Sequence, residues 1–278
     1  VPWDPDGKAM LEALRAKPVP PIPDREKAAA LSEEGRLRLA SPQGGQEELD
    51  AAFQSFKSSL ERDPTYPDAY AGIASVLMRA GKRSESEFET EALEAAFEWA
   101  ERGLAYDPSN YGCVYVKALA LAHLDRADDA FNLATYLLHS SGQRYETYFL
   151  LAKSAHIREA QNDAMNYAYQ AVLTAAEGAQ KVEAERTLGD LYFEYEQWER
   201  GLQMYERCIE SGPPDARLLH LASMCCARMK DYERALDFSS RSQAMEPSGE
   251  ARDVELEVRR ILASRDEKEK RARLRAKP

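Results

Sequence analysis

The sequence predicts an all-α protein: about six antiparallel helix pairs in tandem, closed by a C-terminal capping helix. Three observations carry this. First, small residues recur along two ladders. One runs Ala52, Ala96, Ala130, Ala164, Gly201, Ala235. The other, mostly twelve residues earlier, runs Ala40, Ala74, Ala118, Ala152, Gly189, Ser223, and most steps in both are 34 residues. A small residue where two helices cross lets the backbones approach while bulkier neighbours interlock around it. Second, those neighbours are present: Tyr70, Tyr148 and Leu219 on first helices, Phe56, Tyr205 and Phe238 on second helices. Third, Pro64, Pro108, Pro213 and Pro247 follow second helices, as proline does just beyond a helix C-terminus. Gly142 and Ala176 hold that place in the middle copies.

Residues 1–32 read as an N-terminal arm. Met10, Leu11 and Leu14 suggest a short amphipathic helix, and the run from Lys17 to Pro23 is held extended by its prolines. That run fits a KxxPxxP ligand pattern on paper; a stiff spacer is the simpler reading. The repeats follow at 33–66, 67–110, 111–144, 145–181, 182–215 and 216–249. In the second, Ala74 and Ala96 stand 22 apart, so ten extra residues lie near 82–91. They read as a surface loop or an extended helix end, with an acidic contact arm as the sharper alternative. Three further residues near Gly178 separate the fourth repeat from the fifth. In the closing segment, 250–278, Val254, Val258, Ile261 and Leu262 share one helical face, so 250–265 reads as a helix covering the last repeat. Its basic tail (Lys268, Lys270, Arg271, Arg273, Arg275, Lys277) reads as a solvated helix end.

The period, the small residues at both crossings and the terminal proline resemble the tetratricopeptide repeat (TPR) family over 33–249. The family's usual tryptophan at the fourth position is replaced here by Tyr or another apolar residue. The resemblance implies a right-handed α-α superhelix whose first helices line a concave groove. Carried onto this chain, the lining is Tyr115, Leu119 and His123 in the third repeat and Phe149, Lys153 and Ile157 in the fourth. The fifth adds Arg186, Asp190 and Phe193, and the sixth adds His220. Aromatic anchors edged by charge suit a protein or peptide partner; the alternative is that some of these side chains pack against the next repeat. One subclass of the family clamps acidic chaperone tails with a basic pair at the second and sixth positions of a repeat. Here those positions hold Asp68 and Gly72, Gly112 and Val116, Glu146 and Leu150, Glu183 and Thr187, Arg217 and Leu221. No repeat supplies the pair, which disfavours that clamp.

Composition narrows the function. The 278 residues are 31% charged with a net charge of -11, which disfavours a general binder of nucleic acid or anionic membrane. No apolar run reaches the length of a membrane span. Cys113, Cys208, Cys225 and Cys226 form no CxxC pair and read as free core thiols, suiting the cytoplasm. The alternative is a periplasmic protein anchored through a missing N-terminus. No phosphate-loop, dinucleotide, zinc-protease or hydrolase motif is present. His156 and Glu159 form an HxxE pair without a third ligand, and Asp125, Asp128 and Asp129 beside His123 are explained by helix ends. No catalytic residue, metal or cofactor is expected. The expected function is a non-catalytic interaction scaffold or adaptor, with self-association through an exposed terminal repeat as a further expectation. The alternatives are an assembly factor for a bacterial envelope machine, such as a type IV pilus secretin, and the regulatory half of a larger enzyme.

Overall fold

The structure, a computed structural model, describes residues 24–41, 45–83, 87–212 and 215–275. The expected helix around Met10, Leu11 and Leu14, the proline spacer, Pro213 and Lys277 lie outside these residues, as do the side chains of Lys270, Arg271, Arg273 and Arg275. The chain forms two compact units, residues 1–143 with 153–160 and residues 144–152 with 161–278.

The first unit contains α1 (Arg25–Leu39), α2 (Gln46–Arg62), α3 (Pro67–Ala80), α4 (Thr90–Leu104), α5 (Tyr111–His123) and α6 (Ala127–Ser141). Helix α7 (Tyr145–Ile157) divides between the units at Lys153. The second unit contains α8 (Gln161–Thr174), α9 (Ala179–Glu194), α10 (Trp198–Ser211), α11 (Ala216–Arg228), α12 (Tyr232–Met245) and α13 (Gly249–Arg275). Within each unit consecutive helices pack as pairs, and in the first unit α1 also touches α3 and α3 touches α5.

The ladder residues sit where the helices cross. Ala52, Ala74, Ala96, Ala118, Ala130, Ala152, Ala164, Ser223 and Ala235 are all 0% exposed. Around them, large side chains fill what the small ones leave. Phe56 on α2 lies between Gly35 of α1 and Gly72 of α3; a Cβ at Gly35 would stand 2.9 Å from its ring, and one at Gly72 would overlap it. Tyr205 repeats the device in the second unit, where a Cβ at Gly189 would lie 2.9 Å from its ring. Burying such a ring is worth roughly 1.5–3 kcal/mol, provided nothing holds it off.

Turn chemistry sets the pairing. In four repeats the first helix ends on a residue in the left-handed region: Asp125 (φ 57°), Glu159 (59°), Glu196 (59°) and Lys230 (64°). The next backbone N–H reaches back five residues, Arg126 to Leu121 O (2.9 Å), Ala160 to Ala155 O (2.9 Å), Gln197 to Tyr192 O (2.7 Å) and Asp231 to Cys226 O (2.9 Å). This is the Schellman ending, which satisfies the last helical carbonyls and reverses the chain. Between the early repeats an Asp-Pro-Thr or Asp-Pro-Ser turn does the connecting. Asp63 Oδ1 accepts from Thr65 N at 2.9 Å, and Asp107 Oδ1 accepts from Ser109 N at 3.0 Å. The side chains of Asn110, Asp215 and Asp231 cap α5, α11 and α12.

Three features differ from the sequence expectation. Helix α1 begins at Arg25, so residues 25–32 belong to the first pair and not to the arm. Ala40 lies past the end of α1 and is exposed; Ala28, Ser32 and Gly35 are the buried small residues there. The reason is the connection over 40–45, longer than the tight turns of later repeats, which breaks the twelve-residue spacing. The insertion near 82–91 is neither an extended helix nor a plain loop. Lys82 and Phe88 form an antiparallel bridge, Glu89 N donates to Gly81 O at 2.8 Å, and α4 starts at Thr90. Finally, α13 runs to Arg275, beyond the expected end at 265. Val258 is 2% exposed against the last pair, with Val254 and Leu262 beside it.

Three substitutions test these features. Gly72→Ala forces its methyl into the Phe56 ring and lowers stability by about 1–3 kcal/mol in chemical denaturation. Gly249→Ala, with nothing within 4 Å of its Cβ, changes stability by less than ~0.5 kcal/mol. Glu196→Gly relieves a left-handed φ and raises stability by roughly 0.5–1 kcal/mol.

Candidate functional site

In the first unit the first helices enclose a groove of about 410 Å³. Its floor is small: Ser32 from α1, Ala71, Gly72 and Ser75 from α3, Gly112 from α5. The same residues that permit close helix packing therefore hollow the inner face. Gly112 is set by that packing, since a Cβ there would lie 2.9 Å from Ala71 Cβ. Three tyrosine rings, Tyr66, Tyr111 and Tyr115, line the groove together with Phe56. Tyr111 and Tyr115, one helical turn apart, stack with centroids at 6.1 Å and planes at 6°. Polar groups stand around them. Asn110 Nδ2 donates to Asp68 Oδ1 at 2.7 Å, and Arg36 Nε donates to Glu33 Oε2 at 2.7 Å. The arrangement offers apolar faces for a side chain and charged groups for a main chain or polar edge.

A second feature lies at the C-terminal end of α5. The Phe88 ring, carried by the hairpin between α3 and α4, covers His123 with centroids 4.1 Å apart. Burial pushes the imidazole down to about 4, helped by the positive charges of Lys153 and Lys82. Burial likewise lowers Lys153 to about 8, with Lys82 adding to the effect. Three basic side chains thus share one neighbourhood in a chain of net charge -11. Among the described residues, none of the three has an ion-pair or hydrogen-bond partner. In the same hairpin Glu89 pairs with Arg83 at 3.1 Å.

In the second unit the expected lining residues carry structural contacts. Asp190 accepts from the buried Tyr205 hydroxyl at 2.9 Å, and burial raises its carboxyl above the usual range. Arg186 reaches Asp215 at 3.6 Å, tying α9 to the cap of α11. Phe193 packs edge-on against Trp198 with centroids at 5.2 Å. Phe149 lies 5.9 Å from Tyr145, whose hydroxyl donates to Glu183 Oε2 at 3.0 Å. His220 is half-buried on α11.

The structure therefore places Tyr115, Leu119, His123, Lys153 and Ile157 in the first unit and Phe149, Arg186, Asp190, Phe193 and His220 in the second. Tyr115 walls the groove, Leu119 packs on the core, and Ile157 is 37% exposed at the end of α7. Sequence reasoning missed Tyr66, Tyr111 and Phe88. Tyr111 was legible as the i−4 neighbour of Tyr115. Tyr66, preceding α3, and Phe88, inside the insertion, carried no periodic signal. Glu159 sits in the left-handed turn after α7 and so does not share a helix face with His156. Among the described residues, no three His, Cys, Asp or Glu side chains gather to hold a metal ion, and no helix is long and apolar enough to cross a membrane. All four thiols are buried and free, and burial pushes Cys113, Cys208 and Cys225 up to about 12. These are unreactive core groups.

The unpartnered Lys153 has a measurable cost. An unfolded chain holds this lysine charged up to about 10.5, whereas the folded chain releases the proton near 8. The penalty is full below pH 8 and fades as pH rises from 8 to 10.5. Lys153→Met is expected to raise the melting temperature at pH 7 by a few degrees, on the order of 1 kcal/mol, with the gain shrinking across that window. His123 has the parallel sign: wild-type stability falls as pH drops from 6.5 to 4, where only the unfolded ring is protonated.

No family model matches the chain, and no curated protein matches it. Solved structures do. The chain is 18% identical to pilF of Pseudomonas aeruginosa, with a TM-score of 0.64 over 84% of this chain and 98% of that one. PilW, a widely conserved type IV pilus biogenesis factor, is 14% identical with a TM-score of 0.66 over 82% and 97%. YrrB, a TPR protein with an unusual peptide-binding site, is 17% identical with a TM-score of 0.53 over 75% and 99%. Helix pairs of 34-residue period, small residues at each crossing and these likenesses agree on the fold, which is that of the tetratricopeptide-repeat proteins.

Proposed function

We propose that the chain is a non-catalytic scaffold that holds a segment of a partner protein in the groove of its first unit. The observation that carries this is the tyrosine-walled, small-floored groove of about 410 Å³ between α1, α3 and α5. Rigid aromatic rings at a concave surface are the anchors peptide recognition uses, and Gly72 and Gly112 let a bound chain approach the helix backbones. The neighbour with a peptide-binding site supports the same reading. Within the second unit Arg186, Asp190 and Phe193 fix the spacing of α9, α10 and α11 through their contacts with Asp215, Tyr205 and Trp198. Four buried free thiols suit a reducing compartment, and the cytoplasm is proposed on that footing.

A second reading, assembly of an envelope machine, is favoured by the likeness to PilW, which covers 97% of that pilus biogenesis factor. It uses the same groove and differs in the partner.

The test is a pull-down from lysate of the source organism, read by mass spectrometry. Wild-type bait runs beside a Tyr111→Ala, Tyr115→Ala double variant shown by circular dichroism to be folded. The expected result is a partner held by wild type and reduced at least ~10-fold by the variant, the loss of an aromatic anchor being worth over about 1.4 kcal/mol. A pilus secretin subunit as that partner selects the second reading. Equal capture by both baits overturns the groove.

A further inference from the structure

We propose that Lys82, His123 and Lys153, walled by Phe88, form a subsite for the side-chain carboxylate of an aspartate or glutamate in the partner segment. The inference rests on the interaction-scaffold reading above for its ligand, and on geometry for its place.

The placement comes from the insertion. Lys82 and Phe88 face one another across an isolated antiparallel bridge. Residues directly opposite in such a pair project to the same side. The Phe88 ring covers His123 at 4.1 Å, so the Lys82 side chain is directed to the same end of α5. Lys153, from α7, completes the neighbourhood and is close enough to act electrostatically on His123. The groups come from three separate stretches of chain, and a regular repeat without the insertion would lack Lys82 and Phe88.

The chemistry follows from charge. Elsewhere in the chain basic residues are routinely paired: Arg38 with Glu34, Lys117 with Glu101, Arg126 with Asp129 and Arg158 with Asp128. Here two lysines and a histidine meet without a carboxylate among the described residues. Unpaired cations in a partly buried site oppose folding, and a binding site is where such a cost persists. An incoming carboxylate would accept from both ammonium groups and from the imidazole N–H, in surroundings made less polar by the Phe88 ring, where charge-assisted hydrogen bonds are strong. The insertion thus supplies a basic pocket and not an acidic arm.

The test reads His123 directly. The ring resonances of the four histidines are followed by NMR and assigned with His123→Gln. Acetylated, amidated tetraglutamate is titrated into the full chain, with tetraglutamine and inorganic phosphate as the other arms. Tetraglutamate is expected to shift the His123 resonances saturably and to raise its pKa by about one unit or more, because an anion stabilises the imidazolium. The response is expected to weaken at least ~10-fold in Lys153→Met, to weaken in Phe88→Ala, and to fade with added salt. It is expected to survive Tyr111→Ala with Tyr115→Ala, which removes partner capture by the groove; the two readings therefore fail separately. Three results overturn the proposal: no response to tetraglutamate, an equal response to tetraglutamine, or a response to phosphate alone. Undiminished binding in a folded Lys82→Ala, Lys153→Met variant overturns it as well.

Discussion

Close approach of helix backbones at small residues is the constraint on which everything else in this molecule rests. At Ala52, Gly201 and Ala235, which present nothing larger than a methyl group, two helices come near enough for side chains to hydrogen-bond to the facing main chain. Ser59 Oγ donates to Ala28 O at 2.7 Å, Ser242 Oγ to Ala216 O at 2.8 Å, and the Cys208 thiol to Val182 O at 3.4 Å. All three donors stand seven residues after a ladder residue, at one place in the repeat. A buried hydroxyl left unpaired would cost about 1–3 kcal/mol, so these bonds and the close approach require one another.

Because each pair touches its neighbours, stability is assembled locally and the ends need separate solutions. At the C-terminal end α13 supplies Val258 to the core of the second unit while its outer face stays polar. Inside the array the turns hold the register. Four left-handed residues, none of them glycine, sit at the same point of four repeats. Each is polar, each is followed by the Schellman bond, and each accepts local strain to reverse the chain within a short turn.

The chemistry-bearing features lie where the repeat departs from regularity. The groove is floored by glycine at positions 72 and 112, both demanded by close packing, against the Phe56 ring and Ala71 respectively. The basic neighbourhood exists because extra residues bring Phe88 and Lys82 to the end of α5. In the fifth repeat, of regular length, Arg186, Asp190 and Phe193 are drawn into contacts with Asp215, Tyr205 and Trp198. A regular repeat satisfies its own polar groups; an irregular one leaves some for a ligand.

The all-α class, the pairing, the period and the closing helix were legible in the sequence, because a small residue at a crossing and a proline after a helix act within one turn of where they stand. So were Tyr115 as a groove ring and the insertion as a departure. Other matters were decided only in three dimensions. Ala40 fits the ladder by spacing yet lies beyond α1, because the connection that follows is longer. Asp190 and Arg186 read as groove charges until Tyr205 and Asp215 are seen to engage them. Phe88 meets His123 across 35 residues of sequence, through a hairpin whose bridge no periodicity announces. Local spacing specifies helices and where they cross. Which polar groups remain unpaired depends on every side chain that arrives from elsewhere, and that is a property of the folded chain.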